Sequence, residues 1–104
     1  MEVVFCHPDI RHFLDILDDS TASKVARLID LLSVRAYHLS MPYSKKLEKD
    51  LYELRAQNLQ NVRVFYTFYD GRVFLLHAIY KKSQKLRKKD VETARKRLAR
   101  LRTV

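Results

Sequence analysis

The stretch Val62-Arg63-Val64-Phe65-Tyr66-Thr67-Phe68-Tyr69-Asp70-Gly71-Arg72-Val73-Phe74-Leu75-Leu76-His77-Ala78-Ile79-Tyr80 decides the fold. Two runs dense in β-branched and aromatic residues flank Asp-Gly, a pair suited to a tight turn in which two successive residues need positive φ. The expectation is a β-hairpin. Alternation within its first strand puts Arg63, Phe65, Thr67 and Tyr69 on one face and Val62, Val64, Tyr66 and Phe68 on the other. Neither face is cleanly polar, so the strands are expected to be central, with helices covering one side.

Upstream, Leu51-Tyr52-Glu53-Leu54-Arg55 reads as a short strand, while Lys45 to Asp50 is compatible with either strand or helix. The segment from Leu39 to Tyr43, around Pro42, reads as a loop. Val25, Leu28, Ile29 and Leu32 recur at helical spacing and predict a helix over about residues 22 to 37, with Ser20 or Thr21 as its cap. Ile10, Phe13, Leu14 and Leu17 predict a shorter helix from Pro8 onward, and residues 2 to 6 a first strand. Downstream of the hairpin, Val91, Ala94, Leu98 and Leu101 form a narrow apolar stripe on an otherwise basic helix. One stripe packs, and the rest is expected to face solvent or a partner.

The order is β-α-α-β-β-β-α in 104 residues, enough for one domain spanning 1–104 and no second core. The expected class is α+β: a small antiparallel β-sheet packed against an N-terminal helical hairpin, with a C-terminal basic helix and a concave sheet face left open for function. The single cysteine, Cys6, rules out an internal disulfide framework or a cysteine-rich metal cluster. The apolar start from Val3 to Phe5 is too short to span a bilayer and lacks the pattern of a signal peptide, so the expected compartment is the cytoplasm, with no membrane association.

The formal charge is +9, with residues 1 to 80 holding 10 basic and 10 acidic side chains and residues 81 to 104 holding 11 basic and 2 acidic. The whole excess lies in the last 24 residues. Such a field attracts a polyanion or an acidic protein rather than a small neutral substrate. A solvated basic tail is the plain alternative.

The run Leu51 to Arg55, then Asn61-Val62-Arg63-Val64-Phe65-Tyr66, the strand from Val73 into Tyr80-Lys81-Lys82-Ser83-Gln84-Lys85, and the helix from Val91 to Leu98 together resemble the phage-derived HigB-type branch of the RelE/ParE toxin superfamily. The likeness covers nearly the whole chain and is most specific from about residue 42 to 98. It implies a RelE-like fold and the toxin of a toxin-antitoxin pair, neutralised by an antitoxin protein that often carries a helix-turn-helix DNA-binding domain. Relatives of RelE and HigB cleave mRNA on the translating ribosome without a metal. Relatives of ParE share the fold and inhibit DNA gyrase, and fold alone does not choose between these activities. A third reading is a binding module without chemistry of its own.

Metal-independent cleavage requires deprotonation of the ribose 2′-OH, stabilisation of the reacting phosphate and protonation of the departing 5′-oxygen. By the resemblance, Arg63 matches a strand arginine that would grip the scissile phosphate, and Arg55 is a second cation facing the RNA. Either arginine could instead anchor the sheet to an acidic neighbour. Lys82 is assigned to charge stabilisation or proton donation and Lys81 to orienting the RNA, with Lys85, Arg87 and Lys88 as further RNA-binding cations. Tyr80, His77 and Tyr66 are candidates for base, acid or stacking on a nucleobase. His77 falls on the same expected face as Val73, Leu75 and Ile79, which favours a core or edge role. Where a well-studied branch has two alternating lysines on the first strand of the meander, this chain has Leu51 and Glu53. Glu53 is therefore a candidate general base, or an ion-pair partner for Arg55 or Arg63. His7, Asp9 and His12 are too scattered to predict a metal, and no cofactor is expected.

Overall fold

Alternation in the first strand of the hairpin survives into three dimensions, but the sheet around it is larger than expected. The computed structural model describes residues 1–103. In chain order it contains β1 (Val3–Phe5), α1 (Pro8–Asp15), α2 (Asp19–Arg35), a 3-10 turn (Ala36–His38), β2 (Ser44–Glu48), β3 (Leu51–Gln57), β4 (Asn61–Tyr69), β5 (Arg72–Tyr80) and α3 (Lys88–Arg102). Helices lie toward both ends of an α+β chain whose longest strands are central. The five strands run β1-β5-β4-β3-β2 across the sheet, which places β4 at its middle.

Asp70 and Gly71 take φ of 52° and 70°, so both central turn residues are left-handed, as an Asp-Gly hairpin requires. Antiparallel pairing continues from β5 through β4 and β3 to β2. The stretch 45–50 is mainly extended, which settles its ambiguity in favour of a strand. Ser44 begins β2 with its hydroxyl bonded to the buried Tyr66 hydroxyl, and Lys49-Asp50 turns the chain with Asp50 at φ 61°. The expectation of a purely antiparallel sheet is corrected at the other edge, where β1 pairs in parallel with β5 through Val3↔Val73 and Phe5↔Leu75.

The N-terminal helices pack as a pair over one sheet face. Ile10, Val25, Leu28 and Leu32 meet Leu54, Val62, Val64, Tyr66, Val73 and Leu75 in the larger core. Burying each of these large aliphatic side chains favours folding by about 1.5–3 kcal/mol. Asp18, not Ser20 or Thr21, caps α2: its carboxylate accepts from the Thr21 amide at 3.0 Å and from the Thr21 hydroxyl at 2.7 Å. A carboxylate two residues before Ser20 reaches the free amides and complements the positive end of the helix.

The opposite face is not left open along its length. Through Ala94 and Leu98, α3 lies over Leu51, Phe65, Leu76 and Ile79, burying a second, smaller core. A bulge in β5 makes this possible, because Phe65 pairs with His77 while Tyr66 pairs with Leu75. Leu76 is the extra residue. Beyond it the alternation changes phase, so Val73 and Leu75 belong to the larger core whereas His77 and Ile79 face α3, correcting the shared face expected for these four.

The basic helix is also less free than its composition suggests. Arg95 binds Glu48 at 2.7 Å, Arg97 binds Asp9 at 2.6 Å and the Leu76 carbonyl at 2.9 Å, and Arg102 pairs with Asp50. Three arginines thus fasten α3 to the body, leaving Lys88, Lys89, Lys96 and Arg100 among its exposed cations.

Candidate nucleic-acid interface

Because α3 covers only part of its sheet face, the end of the β3–β4 hairpin remains open on that side. Pairing there brings Arg55 opposite Arg63 and Gln57 opposite Asn61. Two rungs result, one cationic and one of carboxamides, and both line a single open cavity with Lys81, Lys82, Ser83 and Gln84. The backbone amide of Lys81 donates to the Asn61 carbonyl at 2.9 Å, which holds the exit of β5 against the start of β4. A strand end and a hairpin end, separate in sequence, thereby supply four cations to one polar hollow.

Two like charges directly opposite each other repel, and burial makes the repulsion worse. Arg63 sits on the central strand and is 2% exposed, with one Nη donating to the Val62 carbonyl at 3.1 Å. Glu53 supplies the compensation. Its carboxylate lies 3.7 Å from the Nε of Arg55 and 3.8 Å from the Nε of Arg63, and it is 4% exposed. Burial holds the Arg63 guanidinium below the usual arginine range, Glu53 opposes that shift, and Arg55 adds to it. The guanidinium keeps its charge at neutral pH. Neither ion pair closes to a hydrogen bond, and Glu53 Oε2 and both Nε atoms are without a hydrogen-bond partner.

Other residues singled out from the sequence lie outside this hollow. The Tyr80 ring packs on Phe13 at 4.7 Å, on the side of the sheet covered by α1 and α2. Tyr66 is buried on that side as well, where burial pushes its hydroxyl up while the Ser44 bond lowers it. His77 stacks on Phe65, and its Nε2 lies 3.1 Å from Asp90 Oδ1 under the first turn of α3. Arg87 donates to the other oxygen of Asp90 at 3.1 Å. Lys85 and Arg87 border a separate narrow cleft with Lys81 and Lys82, and Lys88 is exposed at the start of α3.

The cavity also contains residues that the sequence reading passed over: Gln57, Asn61, Ser83 and Gln84. For Gln57 and Asn61 the signal is parity, since Gln57 is two residues beyond Arg55 and Asn61 two before Arg63, whereas Ser83 and Gln84 lie in the loop after β5 and carry no such signal. Near the N-terminus, His7 Nδ1 accepts from the Asp9 amide at 3.1 Å while the Asp9 carboxylate serves Arg97. Among the described residues no three His, Cys, Asp or Glu side chains gather around a common point for an ion. Nor is any described helix long and apolar enough to cross a membrane.

What the hollow can do follows from its groups. Guanidiniums bind phosphate oxygens in pairs, ammonium groups add diffuse positive charge, and carboxamides both donate and accept at base edges. A comparison with curated proteins finds no match. The model for the family described as Phage derived protein Gp49-like (DUF891) matches residues 12–99, a span holding both rungs, the lysine pair and most of α3. Since that match covers most of the chain, the protein belongs to the phage-derived Gp49-like family, a RelE/toxin-like family.

Proposed function

We propose that this protein is the toxin of a toxin-antitoxin pair and an mRNA endonuclease of the HigB kind that acts on the translating ribosome. The observation that carries this reading is the convergence of Arg55, Arg63, Lys81 and Lys82 with the Gln57 and Asn61 carboxamides in one open hollow. The ribose 2′-hydroxyl gives up its proton to solvent as its oxygen attacks the adjacent phosphorus, and the bond to the 5′-oxygen breaks as that oxygen takes up a proton, leaving a 2′,3′-cyclic phosphate and a 5′-hydroxyl. No metal or co-reactant enters that balance. Arg63 and Arg55 hold the phosphate and stabilise the charge that develops on it, and Lys82 stabilises or protonates the departing oxygen. Lys81 orients the strand. The mRNA phosphates and an acidic antitoxin segment would compete for the same field, and the antitoxin, with a helix-turn-helix domain, is the second partner. The site of action is the cytoplasm, where translation supplies the substrate.

The test is mapping of RNA 5′ ends after brief expression of the wild type, Arg63→Ala and Lys82→Ala, with and without a translation inhibitor. New ends that require translation and vanish in folded variants are expected. Growth arrest without such ends, accompanied by gyrase-DNA breaks, overturns the endonuclease reading in favour of a gyrase inhibitor.

A further inference from the structure

We propose that Glu53 is an internal counter-ion for Arg55 and Arg63, a stand-in for phosphate that holds both guanidiniums in place in the free protein and limits how tightly the hollow binds a nucleic-acid phosphate. This rests on the nucleic-acid reading above. It makes Glu53 a positioning residue and not the proton acceptor.

The argument begins with burial. A carboxylate that is 4% exposed in the middle of a sheet is costly unless cations answer it, and here two do. Both answer loosely. At 3.7 and 3.8 Å the pairs lie beyond hydrogen-bond distance, and the Nε atoms that face Glu53 remain unbonded. A phosphate arriving from the open side can make charge-assisted bonds of about 2.7–2.9 Å with these forks, shorter and stronger than what Glu53 offers them.

Placement supports the same conclusion. Glu53 and Arg55 are two residues apart on β3, with Arg63 across from Arg55, so the carboxylate lies behind the cationic rung and the carboxamide rung lies in front of it. With no ligand present, Glu53 suppresses repulsion between the guanidiniums. Once phosphate neutralises them from the front, the buried carboxylate becomes a like charge close to the ligand. It then weakens binding, which suits a site that must release its product strand.

The test is binding of a short, uncleavable 2′-O-methyl single-stranded RNA to the wild type, Glu53→Gln and Arg63→Ala, measured by fluorescence anisotropy over a range of salt. Glu53→Gln is expected to bind about tenfold more tightly, the effect of removing one partly screened like charge near the ligand. The slope of log affinity against log salt should steepen by up to about 0.7, one extra phosphate neutralised. A merely structural carboxylate would produce weaker binding, not tighter. If Arg63→Ala loses binding while Glu53→Gln binds equally or more weakly, the counter-ion role is overturned and the nucleic-acid reading stands. If Arg63→Ala binds as the wild type does, the nucleic-acid reading fails and takes this proposal with it. If Glu53→Gln does not stay folded in dilute buffer, inorganic phosphate is expected to restore its folding, and failure to restore it overturns the proposal.

Discussion

Arg55 and Arg63 stand directly across from each other on neighbouring strands, and Glu53 lies within 3.8 Å of both. Their adjacency gathers the buried charges of Glu53 and Arg63 beside the half-buried Arg55, and it explains why an acidic residue occupies a strand position otherwise suited to an apolar side chain. The resulting balance has consequences for stability as well as for binding.

Arg63→Ala should lower the unfolding free energy by about 3 kcal/mol, because it leaves Glu53 buried with a single loose partner. Arg63→Met combined with Glu53→Gln should recover much of that loss, since an apolar chain of similar length can replace the pair. Urea midpoints of both single variants and the double variant measure the coupling. Additive effects would show that the two side chains do not stabilise one another.

Asp90 accepts from Arg87 and meets His77, so it ties the first turn of α3 to β5. Asp90→Ala should destabilise the fold by about 1–3 kcal/mol by stranding the partly buried imidazole. Amide hydrogen exchange should quicken first around residues 88–92. Unchanged exchange there would remove the tether from the account.

Bonding to Arg97 holds the Asp9 carboxyl below its usual range. A depressed carboxyl pKa means that the unfolded chain takes up protons first as pH falls, so this contribution is present above about pH 4 and is lost as pH drops through the folded value. Arg97→Gln should therefore flatten the acid limb of stability against pH, as followed by thermal melting between pH 6 and 2. An unchanged limb would mean that the pair contributes nothing measurable in solution.

Gly71 has φ of 70° and no heavy atom within 4 Å of where a Cβ would stand. Gly71→Ala should cost about 1–2 kcal/mol from backbone conformation alone, and Gly71→Asn less, because asparagine tolerates the left-handed region. Thermal midpoints of the two variants give the comparison, and equal losses would overturn the conformational origin of the cost.

Read as a sequence, the chain determines its local geometry. Period-two alternation marks Val62 to Tyr69, Asp70-Gly71 sets the turn, and the spacings of Val25 to Leu32 and Val91 to Leu101 mark two helical faces, because each signal lies within a few residues of its effect. The sequence also puts Arg55 and Arg63 on neighbouring strands, but it is the strand register that sets them opposite each other. Other features depend on contacts between distant segments. The bulge at Leu76 turns His77 toward α3, β1 joins β5 in parallel, and Arg97 reaches Asp9 across 88 positions. Packing decides these, since two sheet faces and the charges at their rims can be satisfied only when the whole chain is in place. The same long-range pairing turns a scatter of arginines, lysines and amides into one hollow, with a buried glutamate behind it.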